Sequence, residues 1–254
     1  MNKNNVRLPT GSRNDLWLEF QFGQMLQEIE AMRTLARPFI DRKAYESILP
    51  EWKQTLKNFR SSPGQNHFTW AIDEQKPVLT EPSEGKFEVG RRGKKRNVAA
   101  ELSATWSIKC SKAGANEFIL ADNASTVVRI LDLDGDGDVE LARWQFDVAT
   151  RTPSADEVES GTAKNKPGNF FHLQVDWRKA DGSRSAFPVP RFPSSFVTPM
   201  DALDFTLSEL FSDRWKKHAI AETRSGWARH QKRRISSMID WQSHVLAAIP
   251  GRRK

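Results

Sequence analysis

The sequence predicts an α+β fold, with an antiparallel sheet of about five or six strands between an N-terminal helical pair and C-terminal helices. Three observations predict it. Apolar residues recur at spacings of three and four before residue 60 and again after residue 198. Between those regions they alternate with polar residues. The 15 Phe and 9 Trp add bulk to a core that a 38% hydrophobic content would otherwise leave thin. The 254 residues are read as one domain, with the helical pair over 14–60, the sheet over 66–177 and the C-terminal helices over 198–248.

The first helix is expected over Asn14–Ala36, where Leu16, Phe20, Met25, Leu26, Ile29, Met32 and Leu35 roughly follow a helical period. Pro38 ends or redirects it, because proline disfavours a helical residue before itself. A second helix over Arg42–Phe59 aligns Tyr45, Leu49, Trp52, Leu56 and Phe59, with a break or kink expected at Pro50. Strands are expected at His67–Ile72, Val98–Lys109, Glu117–Ala121, Ser125–Leu133, Val139–Val148 and Phe170–Trp177. In the clearest of them, Ala100, Leu102, Ala104, Trp106 and Ile108 point one way, and Glu101, Ser103, Thr105, Ser107 and Lys109 the other. The polar, turn-rich stretch Thr150–Gly168 reads as a loop. Helix resumes at Thr198-Pro199-Met200-Asp201, with a capping threonine, proline at the first helical position and an acid at the third. Leu203, Leu207, Leu210, Phe211 and Trp215 form its apolar stripe, and a last helix is expected over Arg224–Ala248.

The net charge of +7 is unevenly distributed. Residues 86–96 hold six Lys/Arg against one acid, and residues 223–254 hold eight against one, so the rest of the chain is net acidic. Such segregation creates a directional field that attracts polyanions. Arg91, Arg92, Lys94, Lys95 and Arg96 in the first segment, and Arg229, Lys232 and Arg233 in the second, are the candidate phosphate contacts. Phe87 and Trp227 lie within reach for stacking on bases. An ordinary solvated surface and an acidic protein partner are the other readings of the same charge. One cysteine, Cys110, rules out an internal disulfide and a cysteine-rich zinc site, and a reducing compartment fits. The polar first fifteen residues carry no apolar signal core, and no apolar run reaches the ~20 residues of a membrane span. A cytoplasmic protein without membrane contact is therefore expected.

Asp132-Leu-Asp134-Gly-Asp136-Gly-Asp138 places acids and a glycine as at the start of a calcium loop, but Arg143 stands where a bidentate glutamate closes such a loop. Two readings are open: a bound divalent cation held by Asp132, Asp134, Asp136 and Asp138, or a β-hairpin turn in which Asp-Gly supplies positive backbone angles. On the strand reading, His172, Gln174 and Asp176 share a face, and Asp147 nears them if the strands pair. A histidine with a carboxylate is a competent acid/base pair, so His172, Asp147 and Asp176 are the catalytic candidates; a polar ladder that sets strand register is the alternative. A Mg²⁺ nuclease would draw on Asp147, Asp176 and Lys179, yet no strand carries the acid-x-lysine pair of a restriction-type fold. Arg224 and His230 have the arginine-x5-histidine spacing of helical ribonucleases, with Thr223 where an acid or amide usually stands.

The ordered set Trp144-Gln-Phe146-Asp147, Phe171-His172-Leu173-Gln174 and Pro190-Arg191-Phe192-Pro193 resembles a pattern found in uncharacterised bacterial protein families, some encoded beside phage-defence genes. The resemblance spans about residues 140–220 and implies no agreed activity, so no catalytic role carries over from it. Combined with the charge distribution, it leads to the expectation of a non-catalytic, nucleic-acid-associated component of a bacterial multi-protein system, plausibly antiviral. The rival expectations are a metal-dependent nuclease or ribonuclease, and a protein-binding adaptor that uses aromatic and arginine side chains.

Overall fold

A computed structural model describes residues 6–7, 19–62, 67–84, 87–89, 94–110, 116–134, 139–148, 171–177, 191–193 and 198–221. In chain order the elements are β1 (Val6–Arg7), β2 (Glu19–Gln21), α1 (Phe22–Ala36), a π-helical turn (Ala44–Ile48) running into α2 (Leu49–Ser61), β3 (His67–Ile72), β4 (Val78–Leu79), β5 (Phe87–Val89), β6 (Lys94–Arg96), β7 (Val98–Cys110), β8 (Glu117–Asp132), β9 (Val139–Val148), β10 (Phe171–Trp177), β11 (Arg191–Pro193) and α3 (Pro199–Ala221). The fold is α+β: a helical pair, a central antiparallel sheet and a C-terminal helix. The sheet has nine strands, more than the five or six expected, because short edge strands with little alternation of their own join it. One path runs β1-β2-β8-β9-β10-β11, and β7 lies against β8, β3 and β4. The strands β5 and β6 pair only with each other, as a separate two-stranded ribbon. The expected last helix, 224–248, and the loop 150–168 lie outside the described residues.

Helix α1 buries Phe22, Met25, Ile29, Met32 and Ala36, a repeat of three and four that turns one stripe to the core. It begins eight residues later than expected. Glu19–Gln21 pair instead with Glu117–Ile119 of β8, and the Phe22 N–H donates to the Asn116 carbonyl at 3.0 Å. Phe20 therefore enters the core from a strand, its ring 5.3 Å from Phe118 and 5.4 Å from Trp106. Pro50 sits in the first turn of α2 rather than in a kink. The π-turn before it shifts the backbone ladder, so that the Leu49 N–H reaches the Ala44 carbonyl five residues back. This places proline, which lacks an N–H, where helix continuity does not need its donor.

The sheet's inner face is aromatic. Trp52 of α2 stacks on Trp70 of β3, with centroids 4.0 Å apart and planes 2° from parallel, while the Trp70 indole N–H donates to the Trp52 carbonyl at 3.0 Å. Trp106 meets Trp70 edge-on at 6.0 Å. The expected stripe of α3 is buried, from Leu203 through Leu207, Leu210 and Phe211 to Trp215. Phe205 of α3 lies 5.3 Å from Trp144 and 5.9 Å from Phe146 of β9, and Trp215 lies 5.2 Å from Phe39. One continuous buried cluster extends from Phe20 to Trp215. No helix of the described residues is long and apolar enough to cross a membrane.

Candidate functional site

The strands that turn apolar residues to the helices turn a polar set to the opposite face. Strand register aligns this set in rows. Thr105, Ser125, Asp147 and His172 occupy one row across β7, β8, β9 and β10. Ser103, Val127, Gln145, Gln174 and Arg191 occupy the next, reaching β11. Glu101, Arg129, Arg143 and Asp176 occupy the third. The third row is an ion-pair ladder: Arg129 reaches Glu101 at 2.8 Å and Glu140 at 2.9 Å, and Glu140 also accepts from Arg143 at 2.9 and 3.0 Å.

Glu140 and Arg143 are three residues apart on one strand, a spacing that normally places side chains on opposite faces. The register slips by one residue between Ile130 and Leu131, so that Leu131 faces Glu140 while Ile130 faces Ala142. Leu141 is the extra residue of this β-bulge, and it returns Glu140 to the polar face. The hydrogen bond that Arg143 donates to Glu140 raises the Arg143 pKa, opposed by burial and assisted by the charges of Glu140, Glu74 and Asp176.

The structure brings two of the three catalytic candidates together. His172 is the register partner of Asp147, while Asp176 lies opposite Arg143, about 13 Å farther along β10 with Gln174 between them. The Asp147 carboxylate accepts from the Gln145 amide at 3.0 and 3.1 Å and from the Gln174 amide at 2.9 Å. These amides form a polar ladder that links β9 to β10. Lys179, Arg224 and His230 lie outside the described residues. The described residues contain no cluster of three or more His, Cys, Asp or Glu arranged to hold a metal ion. Burial pushes the Cys110 thiol pKa up, away from the thiolate needed for nucleophilic work.

The acidic turn connects two paired strands, β8 ending at Asp132 and β9 starting at Val139, which are register partners. Asp136 and Asp138 lie outside the described residues. Asp132 is buried, accepts the Asp134 N–H at 3.1 Å and is ion-paired to Arg96. Asp134 accepts the Asn97 N–H at 2.9 Å. The two acids thus hold the base of the β5–β6 ribbon. Among the candidate phosphate contacts, Arg96 faces this turn, Lys95 is exposed, and Lys94 is the register partner of Val89. Arg91, Arg92, Arg229, Lys232 and Arg233 lie outside the described residues.

The sequence had signalled the polar alternation of β7 and the β10 face, but the arginine ladder and the clasp around Asn97 were missed. Alternating polarity on β9 was the available signal for Arg143; the partner of Asn97 lies 37 residues away and leaves no local trace. Compared with known families, curated proteins and solved structures, the chain matches none of them.

Proposed function

We propose that this chain is a nucleic-acid-associated, non-catalytic component of a bacterial multi-protein system that acts against phage. The observation that carries the reading is the gathering of cationic residues into 86–96 and 223–254 on an otherwise acidic chain. Two structural facts support it. Arg214 of α3 pairs at 3.1 Å with Glu84, two residues before the first basic segment, and α3 ends only seven residues later, at the threshold of the second. The described residues that flank the two segments, Glu84 and the last turns of α3, are thus joined by an ion pair. The bonding of Asp147 by two amides favours an architectural over a catalytic part for the polar face. The bacterial, antiviral setting rests on the resemblance at 144–147, 171–174 and 190–193.

Mobility-shift titration of DNA and RNA against salt tests the reading. Binding is expected at low salt, with an affinity that falls steeply as salt rises, and is expected to be lost when the Lys and Arg of both segments are changed to Ser. Absence of binding at low salt, or binding that survives both sets of changes, overturns it. Mg²⁺-dependent cleavage abolished by Asp147→Asn would replace it with a nuclease.

A further inference from the structure

Helix α3 is bent at Ser212, which has φ 42° and ψ −113° and divides it into segments 199–211 and 213–221. An L residue rarely adopts such a φ, because its Cβ crowds the backbone, so the bend carries strain. Among the described residues, the one other non-glycine residue with a positive φ is Glu84, and it is ion-paired at 3.1 Å to Arg214, two residues beyond the bend. The bend is sharp. The Trp215 indole N–H donates to the Asp204 carboxylate at 3.0 Å, although the two residues are 11 apart in sequence. That many residues of straight helix rise about 16.5 Å, farther than the two side chains reach.

Contacts between the second segment and the rest of the fold hold the bend. The Arg214 guanidinium lies 5.0 Å from the Phe39 ring centroid, and Trp215 and His218 meet the same ring at 5.2 and 5.3 Å. The His218 Nε2–H donates to the Leu35 carbonyl at 2.9 Å. Each of these contacts joins 213–221 to residues that precede Ser212. They require the two sides to be adjacent; they do not require them to belong to one chain. We propose that two copies of this chain exchange segment 213–221 to form a dimer, with Ser212 as the hinge. In the exchanged form Ser212 takes helical angles and α3 runs unbroken, so each copy lays its Arg214, Trp215 and His218 on Glu84, Phe39 and Leu35 of the other. The docking contacts are the same in both forms and cancel between them. Strain at two hinges is released, and the backbone hydrogen-bond ladder of each α3 runs through the former bend. Against this stands the translational freedom lost on pairing, which makes the balance depend on concentration.

The test uses the full chain, with mass followed by size exclusion and light scattering from low to high micromolar concentration. The wild type is expected to pass from monomer to dimer across that range. Ser212→Gly accepts the bend without strain and disfavours the unbroken helix, so it should weaken the dimer at least about tenfold. Ser212→Ala remains strained in the bend and is a better helix former, so it should strengthen the dimer. A mixture of two variants reports the exchange itself. Glu84→Arg and Arg214→Glu each bring like charges together within one chain, and both positions are exposed, so each variant should keep the wild-type circular-dichroism spectrum. Exchange between the two variants restores opposite charges at both contacts. Native mass spectrometry of the equilibrated mixture should therefore show heterodimer above the proportion that random pairing gives. A wild type that stays monomeric at every concentration, a dimer indifferent to Ser212→Gly, or a mixture at the random proportion overturns the inference.

Discussion

Thr198 shows how much a single side chain does at the start of α3. Its hydroxyl donates to the buried Glu28 carboxylate of α1 and accepts from the Asp201 N–H at 3.3 Å, while its own N–H donates to the Asp201 carboxylate at 3.0 Å. The last two bonds form the capping box that the Thr-Pro-Met-Asp string announces. The first could not be anticipated, since Glu28 is 170 residues away in sequence. It joins α1 to α3 and places a fully buried carboxylate near the positive end of the α3 dipole. Thr198→Ala is therefore expected to destabilise the fold by about 1–3 kcal/mol in urea denaturation. Thr198→Ser should keep most of the stability, because it retains the hydroxyl. Equal stability of the alanine variant and the wild type would mean that this hydroxyl contributes nothing to the junction.

At the scale of elements, local pattern located α1, α2, α3 and most of the described strands, and it failed where pairing or irregularity set the outcome. Two expected strands, 117–121 and 125–133, are one strand, β8. The expected gap between them holds Asp122 and Asn123. In the sheet they fall where the register with β7 shifts beside Trp106, so the strand continues through an irregularity. The bulge at Leu141 was equally invisible, since an extra residue in a ladder is defined only by the neighbouring strand. The helical pair is joined by Glu30, which accepts from Arg33 at 2.6 Å and from Lys53 of α2 at 2.7 Å. The bond from Arg33, then that from Lys53, holds its pKa below the usual carboxylate value. A depressed folded pKa gives stability that is present above the unfolded pKa, about 4.3, and is lost as pH falls through the depressed value. Glu30→Gln should therefore lie below the wild type by under about 1 kcal/mol at pH 7, as expected of a half-exposed pair. The gap should close on acidification; one that stays constant from neutral to strongly acid pH would contradict the ion-pair account.

At the scale of the molecule, the buried cluster from Phe20 to Trp215 spans both helical regions and the sheet. Elements that share one core lose their packing together, so thermal unfolding should be a single transition, with tryptophan near-ultraviolet and backbone far-ultraviolet signals coincident. Two separated transitions would place a domain boundary in the chain, and the neighbourhood of residue 197 is where it would fall.

The sequence by itself determined the fold class, the inner face of β7, the cap and apolar stripe of α3, and the segregation of charge. Each of these depends on residues within a few positions of one another, where helical or strand periodicity and simple counting apply. Only the tertiary structure decided that Glu19–Gln21 extend a sheet, that Glu140 shares a face with Arg143, that His172 lies opposite Asp147 in register while Asp176 lies opposite Arg143, and that Asp132 and Asp134 clasp the base of a basic ribbon. The reason is physical: strand order, register and bulges are set by partners distant in sequence, and a one-residue change of register reverses which side chains share a face.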